Sequence, residues 1–370
     1  MSYVLNVSVL NSAQRDKVFF AAQNCGSSVT ATAQFTIGGQ DLFSLTLQTE
    51  QQASDLRNVF VSAQLAASEV VSNKAQQYTL FVMGQALSSA DLTGLLPKLN
   101  AAGAVLFQSN EQQECLSLSF IAKDLPLESL KAELKAIIDP QKLDLVILKQ
   151  DIYQANRRLV VFDRDSTLIQ IEVIDELAKK AGIGDRVSAI TAAAMRGEID
   201  FVESFTQRLA LLEGLSESVL DEIIESIPLM PGMERLLLNL NALGFKTAIL
   251  SGGFSYFADY LKRTYGFDYA FSNPLEIDAG RVTGRVAGPI VDGERKVLLL
   301  RELAEKEGFD LRQTVAVGDG ANDLPMLAKA GMGVAFHAKP IVREQAPNVI
   351  TFMDLTALLY LLNVHKSEWV

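Results

Sequence analysis

The sequence has little cysteine or histidine: only Cys25, Cys115, His337 and His365 in 370 residues. Two cysteines without a metal-ligand spacing give no disulfide framework and no zinc–thiolate site. No uninterrupted apolar run is long enough to span a bilayer, and the opening MSYVLNVSVLNSAQRDK lacks the basic lead and apolar core of a signal peptide. The expectation is a cytoplasmic chain that engages no membrane. Positive charge is also short, with 33 Lys and Arg against 44 Asp and Glu and a formal net charge of -11. That balance repels phosphate backbones and anionic lipid, which excludes a general nucleic-acid binder. An anionic substrate would need cations placed one by one.

What is present is ordinary globular material, 49% hydrophobic and 21% charged, in a chain long enough for two or three domains. The pattern changes near residue 150. Before it, YVLNVSVL reads as a strand, AQRDKVFFAAQNCG as a helix, SVTATAQFTI and DLFSLTLQ as strands around a GGQ turn, and ASDLRNVFVSAQLAA as a second helix. The order recurs in strand YTLFVMG, helix SADLTGLLPKLNAAG, strands AVLFQSN and CLSLSFIAK, helix LESLKAELKAII and strand LDLVILKQ. Ser89 and Asp91 offer capping oxygens to the first helix of the repeat, and Gly103 offers its stop. The spacing predicts two ferredoxin-like βαββαβ units, over 1–76 and 77–150. The second resembles the ACT domains, small modules that bind amino acids and pair subunits; the first resembles them more faintly. That resemblance implies serine or another amino acid as a ligand and a homodimer as the assembly, with assembly alone as the other role.

From 151 to 370 strands alternate with helices, the pattern of a parallel α/β sheet whose ligands gather beyond the carboxyl ends of the strands. Three predicted strands end in unusual chemistry. RLVVFD runs into Asp163, Arg164 and Asp165; read as an extended continuation, the two aspartates share a face and Arg164 points away. FKTAILS ends at Ser251, Gly252 and Gly253, a hydroxyl beside backbone N–H groups that can receive phosphate oxygens. TVAVGD ends at Asp319 and turns through Gly320 to Asn322 and Asp323, ahead of a helix beginning near Pro325. A fourth stretch, GERKVLLLREL, puts Lys296 at the head of an amphipathic helix, where a cation opposes the helix dipole. Taken singly, each has a plain alternative: a solvated D-x-D turn, a tight glycine turn, a surface lysine, an Asx turn capping a helix.

Together they define one site. If Asp163, Asp165, Asp319 and Asp323 converge, unit charges about 4 Å apart repel by roughly 4 kcal/mol at an effective dielectric of about 20. Cations must sit among them. Lys296 is one, and an oxygen-rich set without histidine points to a hard ion, Mg²⁺ where carboxylates, waters and phosphate combine. Phosphoryl transfer fits such a site. One carboxylate attacks phosphorus, while a neighbour off the line of attack protonates a poor alkoxide leaving group and then deprotonates water.

DRDST, SGG, Lys296 and GDGAND stand in the order of the four motifs of the haloacid dehalogenase-like phosphatases, which residues 157–365 resemble. The resemblance implies a Rossmann-like core with helices on both faces of its sheet and a helical cap at about 170–230. It makes Asp163 the nucleophile and Asp165 the general acid and base. It implies Mg²⁺ on Asp163, the backbone carbonyl of Asp165, and Asp319, with Asp323 behind them. Ser251, Gly252 and Lys296 would hold the phosphate, with Asn322 nearby. Arg164 departs from the hydrophobic or small residue expected at its position. Within the superfamily the chain resembles the branch that hydrolyses O-phospho-L-serine to L-serine, the last step of serine biosynthesis. By that resemblance Glu172 meets the substrate's ammonium and Arg208 its carboxylate, a task suited to a planar fork. Met195 and Phe201 are candidate pocket walls, and neither histidine has a role. Two other functions stay open on the residues alone: action on another small phosphomonoester or acceptor, and amino-acid sensing with a passive catalytic-looking domain.

Overall fold

The computed structural model describes residues 156–370 throughout, 76–149 apart from 86, 89–91 and 123, and before those 2–8, 20, 28–37, 40–48 and 67–72. Cys25, the caps Ser89 and Asp91, and nearly all of the helices expected at 13–26 and 53–67 lie outside the described residues. The chain divides into two compact units, residues 1–154 and 155–370.

In the first unit, β1 (Ser2–Ser8), β2 (Ser28–Ile37), β3 (Gln40–Gln48) and β4 (Ala67–Ser72) form an antiparallel sheet in the order β2-β3-β1-β4. Ala67, assigned to a helix from the sequence, instead opens β4, the strand that a βαββαβ order requires there. A second antiparallel sheet repeats the topology with β5 (Gln76–Met83), β6 (Val105–Gln112), β7 (Cys115–Ala122) and β8 (Asp144–Lys149), ordered β6-β7-β5-β8. Helices α1 (Leu95–Ala101) and α2 (Leu127–Ile138) bury Leu96, Leu99, Leu130 and Leu134 against Leu80, Leu118 and Phe120 of this sheet. The spacing of Leu130, Leu134 and Ile138 at every fourth residue makes α2 one-sided. Gly103, just past α1, adopts φ +74°, the left-handed conformation a helix stop favours.

The second unit is built on a six-stranded parallel sheet. It contains β9 (Leu159–Phe162), β10 (Lys246–Phe254), β11 (Tyr269–Asn273), the separate hairpin β12 (Leu275–Asp278) and β13 (Arg281–Val286), then β14 (Thr314–Gly318), β15 (Met332–Phe336) and β16 (Val349–Ile350). The sheet order is β11-β10-β9-β14-β15-β16. Leu159 and Val161 pack into one core with Ala248, Leu250 and Ala316, while Val160, Phe162 and Ile249 are equally buried toward the other face. Burial on both faces explains why β9 reads as a continuous apolar run rather than an alternation. Phe162 pairs with Ile249 on one side and Val317 on the other. Asp163, Ser251 and Asp319 therefore leave the same edge of the sheet within a residue or two of each other in register.

Four helices, α3 (Val173–Lys180), α4 (Gly184–Met195), α5 (Phe201–Ala210) and α6 (Ser218–Glu225), form the insertion after β9. Its two connecting strands bond to each other, Gln170 N–H to Pro228 O and Met230 N–H to Leu168 O, both at 2.9 Å. The remaining long helices are α7 (Met233–Ala242), α8 (Ser255–Tyr265) and α9 (Gly293–Lys306), with the short α10 (Leu324–Lys329) following the third site loop. Among the described residues no helix is long and apolar enough to cross a membrane.

Candidate active site

The chain stops being extended at Phe162. The N–H groups of Thr167, Leu168 and Ile169 converge on Arg164 O at 3.2, 2.8 and 3.1 Å, and Ser166 takes φ +55°. This tight turn ends the two-residue alternation, and the expected shared face goes with it. Asp163 is buried, its N–H bonded to Val317 O at 2.8 Å. Its Oδ1 accepts the Arg164 N–H at 2.7 Å and its Oδ2 meets Lys296 Nζ at 2.9 Å. Asp165 faces Arg164 instead. Arg164 does not point away from the site: it is fully buried and forks the Asp165 carboxylate through Nε and Nη2 at 2.7 and 2.8 Å.

Lys296 lies in the first turn of α9, which Asp292 caps by accepting the Arg295 N–H. It is fully buried between Asp163 and Asp323, with Asp323 Oδ1 at 2.7 Å. Burial alone would pull the ammonium down, but the two carboxylates outweigh it and hold it above the ordinary lysine value. Asp323 does not cap α10; it turns inward, and its second oxygen accepts the Gly320 N–H at 2.9 Å. Gly318 makes room, since a Cβ there would stand 2.5 Å from Asp323 Cγ. Burial and then the Asp163 charge raise the Asp323 carboxyl, against the pull of Lys296. Asn322 is half-buried, its Oδ1 2.4 Å from where a Gly320 Cβ would stand.

Asp319 accepts the Thr167 hydroxyl at 3.1 Å. Burial first, then Asp163, Asp323 and Glu172, push its carboxyl up to about 8, with Lys339 opposing. Oxygens of Asp163, Asp319 and Asp323 all lie within 4.8 Å of one another. Three carboxylates with one ammonium among them leave a formal charge of two negatives. That deficit and the all-oxygen donor set fit a hard divalent cation such as Mg²⁺. Asp323 is fully enclosed with both oxygens engaged, whereas Asp163 and Asp319 keep a small exposed area and are the carboxylates open to an ion. The Asp165 carboxylate stands outside this cluster.

β10 runs on through Ser251, Gly252 and Gly253 with an irregular register before Phe254. Ser251 Oγ accepts the Gly253 N–H at 3.1 Å. Asn273, fully buried at the end of β11, donates to Gly252 O at 2.7 Å and accepts the Val291 N–H at 2.8 Å. Neither Asn273 nor Thr167 is singled out by the sequence; Asn273 is the one fully buried residue of a half-buried strand.

From the insertion, Glu172 is half-buried and accepts the Ser166 hydroxyl at 2.9 Å. Burial and then the Asp165 charge raise its carboxyl. Arg208, on α5, donates to Ser204 O at 3.3 Å and to Thr191 Oγ1 at 3.5 Å. Burial draws it down while Asp175, Glu172 and Asp165 act in the opposite sense, so Glu172 and Arg208 share one electrostatic neighbourhood with the first loop. Phe201 lies against the glycine turn, its Cζ 2.7 Å from a Gly252 Cβ position, whereas Met195 is 71% exposed. His337 bonds Met353 O and His365 caps a terminal turn, both outside the cluster.

A parallel sheet with an inserted helical cap and carboxylates gathered at its carboxyl edge defines the class, and a family model for haloacid dehalogenase-like hydrolases matches residues 157–331. The chain belongs to that family. Within it the chain is similar to phosphoserine phosphatases. It is 53% identical to the phosphoserine phosphatase of Haemophilus influenzae over 207 residues, 56% of this chain and 66% of that protein, just short of two thirds of its length. It is 45% identical to that of Vibrio cholerae over 246 residues, 65% of this chain and 75% of that protein. The crystal structure of the probable phosphoserine phosphatase from Vibrio cholerae superposes with a TM-score of 0.64 at 37% identity, covering 79% of this chain and 87% of that one. A substrate-bound phosphoserine phosphatase complex superposes at 0.53 and 40% identity, covering 55% of this chain and 97% of that one.

Proposed function

We propose that the protein hydrolyses O-phospho-L-serine to L-serine and phosphate through an aspartyl-phosphate on Asp163. The observation that carries this reading is the Asp163–Lys296–Asp323 chain of buried contacts beside Asp319, with Glu172 and Arg208 close by in the cap. A dianionic phosphoryl group suits a site where Lys296 is held charged.

In this reading the Ser251 hydroxyl, the Gly252 N–H and Lys296 hold the phosphoryl oxygens, with Asn322 at the rim. Glu172 receives the ammonium and Arg208 the carboxylate, which fixes the serine half of the substrate. An Asp163 oxygen bonds to phosphorus as the P–O bond to serine breaks, and Asp165 gives its proton to the departing alkoxide. Asp165 then removes a proton from water, whose oxygen takes phosphorus from Asp163 and restores the carboxylate. Mg²⁺ would be held by Asp163, the Asp165 backbone carbonyl and Asp319, with Asp323 supporting, and would neutralise charge on the transferring oxygens. The N-terminal half is assigned as two ACT-like domains, over 1–76 and 77–150, that take serine or another amino acid and pair subunits into a homodimer; 151–370 is the catalytic domain. A cytoplasmic setting is part of the same proposal.

A panel of phosphomonoesters tests the substrate. L-Phosphoserine is expected to have the highest kcat/KM, and Arg208→Ala to erase that preference while leaving phosphates without a carboxylate little changed. Retention of the preference by Arg208→Ala would contradict the assignment of the cap.

A further inference from the structure

Arginine is rarely enclosed in a protein unless its charge is paired, yet Arg164 is fully buried. Its Nε and Nη2 grip the two oxygens of Asp165 at 2.7 and 2.8 Å, and Nη1 donates to Phe254 O at 2.7 Å. The guanidinium also sits 5.5 Å from the ring centre of Phe257. Gly253 gives it room: a Cβ there would stand 2.1 Å from Nη2 and 3.1 Å from Asp165 Oδ2. One side chain thus joins the first loop to the backbone that follows the phosphate turn.

A bidentate fork fixes both the position and the plane of a carboxylate, which a single hydrogen bond does not. We propose that Arg164 is a positioning residue for Asp165. It holds the carboxylate against Gly253, beside the Ser251–Gly252 turn, so that the oxygen pair meets the leaving oxygen in a set orientation. The inference rests on the acid–base role proposed for Asp165. A purely packing role for Arg164 differs from it in one respect, because packing would act whether or not residue 165 is a carboxylate.

The test is a double-mutant cycle on the full chain with L-phosphoserine, comparing wild type, Arg164→Gln, Asp165→Asn and the double variant. Asp165→Asn is expected to lose about 10²- to 10⁴-fold in kcat, the usual contribution of a positioned acid–base group. Arg164→Gln is expected to lose roughly 10- to 100-fold in kcat with KM nearly unchanged, as misplacement of a catalytic group does. The double variant should be no slower than Asp165→Asn. Arg164→Lys should fail to rescue, since an ammonium cannot fork. Single-turnover release of p-nitrophenol, which needs no proton to leave, should be spared in Arg164→Gln. Circular dichroism checks folding, and Arg164→Met repeats the cycle if the glutamine variant does not fold. Independent, multiplying losses in a slow Asp165→Asn background would overturn the positioning role alone. A fully active Asp165→Asn would overturn both it and the acid–base reading beneath it.

Discussion

At the scale of single residues the site is governed by one buried cation. Lys296 separates Asp163 from Asp323, and neither Lys296 nor Asp323 is exposed at all. Removing one partner from such a cluster leaves the others uncompensated, which costs about 3–5 kcal/mol where it has been measured. Lys296→Met in the metal-free protein is therefore expected to lower unfolding free energy by about that amount in a denaturant titration. A change below about 1 kcal/mol, the range of exposed pairs, would contradict the geometry. The chemical types here were legible in the sequence because Asp163, Ser251 and Asp319 close predicted strands and Lys296 heads a predicted helix. The orientation of Arg164 was not, because a strand's alternation was carried into residues where three N–H groups already close on one carbonyl. Asn273 escaped for another reason: its partners Gly252 and Val291 lie 21 and 18 residues away and are backbone groups that leave no trace in side-chain pattern.

At the scale of elements the β12–β13 hairpin steadies the cap. Gly214 N–H bonds Val282 O at 2.8 Å, and Val282 N–H bonds Leu215 O and Glu217 N–H bonds Gly280 O, both at 2.9 Å. Gly284, at φ +77°, would place a Cβ 3.3 Å from Ala210 Cα, at the end of the helix that carries Arg208. Gly284→Val combines backbone strain with crowding, each costing on the order of 1–3 kcal/mol. Expected are a lower Tm and a raised KM for phosphoserine, with KM for a phosphate lacking a carboxylate unaffected; an unchanged phosphoserine KM would detach the hairpin from substrate binding. The strands that frame the site were legible from apolar runs ending in Asp or Ser. This hairpin was not, because Gly284 interrupts the alternation of β13 and those three bonds from the hairpin to the cap are backbone bonds.

At the scale of the whole molecule, charge links the site to stability. Asp319 titrates at about 8 in the folded chain, against about 3.9 for a free aspartate. The folded state thus holds this proton more tightly, and the stability it contributes is complete below about pH 4 and lost as pH rises through about 8. Asp323 and Glu172 are shifted in the same direction. A divalent ion takes over what the proton did, so saturating Mg²⁺ should raise Tm more at pH 8 than at pH 5. An equal or larger gain at pH 5 would argue that the ion binds elsewhere. The contacts divide the chain between residues 154 and 155, and the helix–strand order of the sequence changes near residue 150.

The central claim is that phosphorus passes through a covalent bond to one side chain. Mixing the full chain with L-phosphoserine and Mg²⁺, quenching in acid within milliseconds and reducing with borohydride converts an aspartyl phosphate into homoserine. Mass spectrometry of the peptide containing LVVFDRDST should then show homoserine at position 163, and none in Asp163→Asn. Turnover with no such product at any time point, or with the change at position 165, would contradict the account.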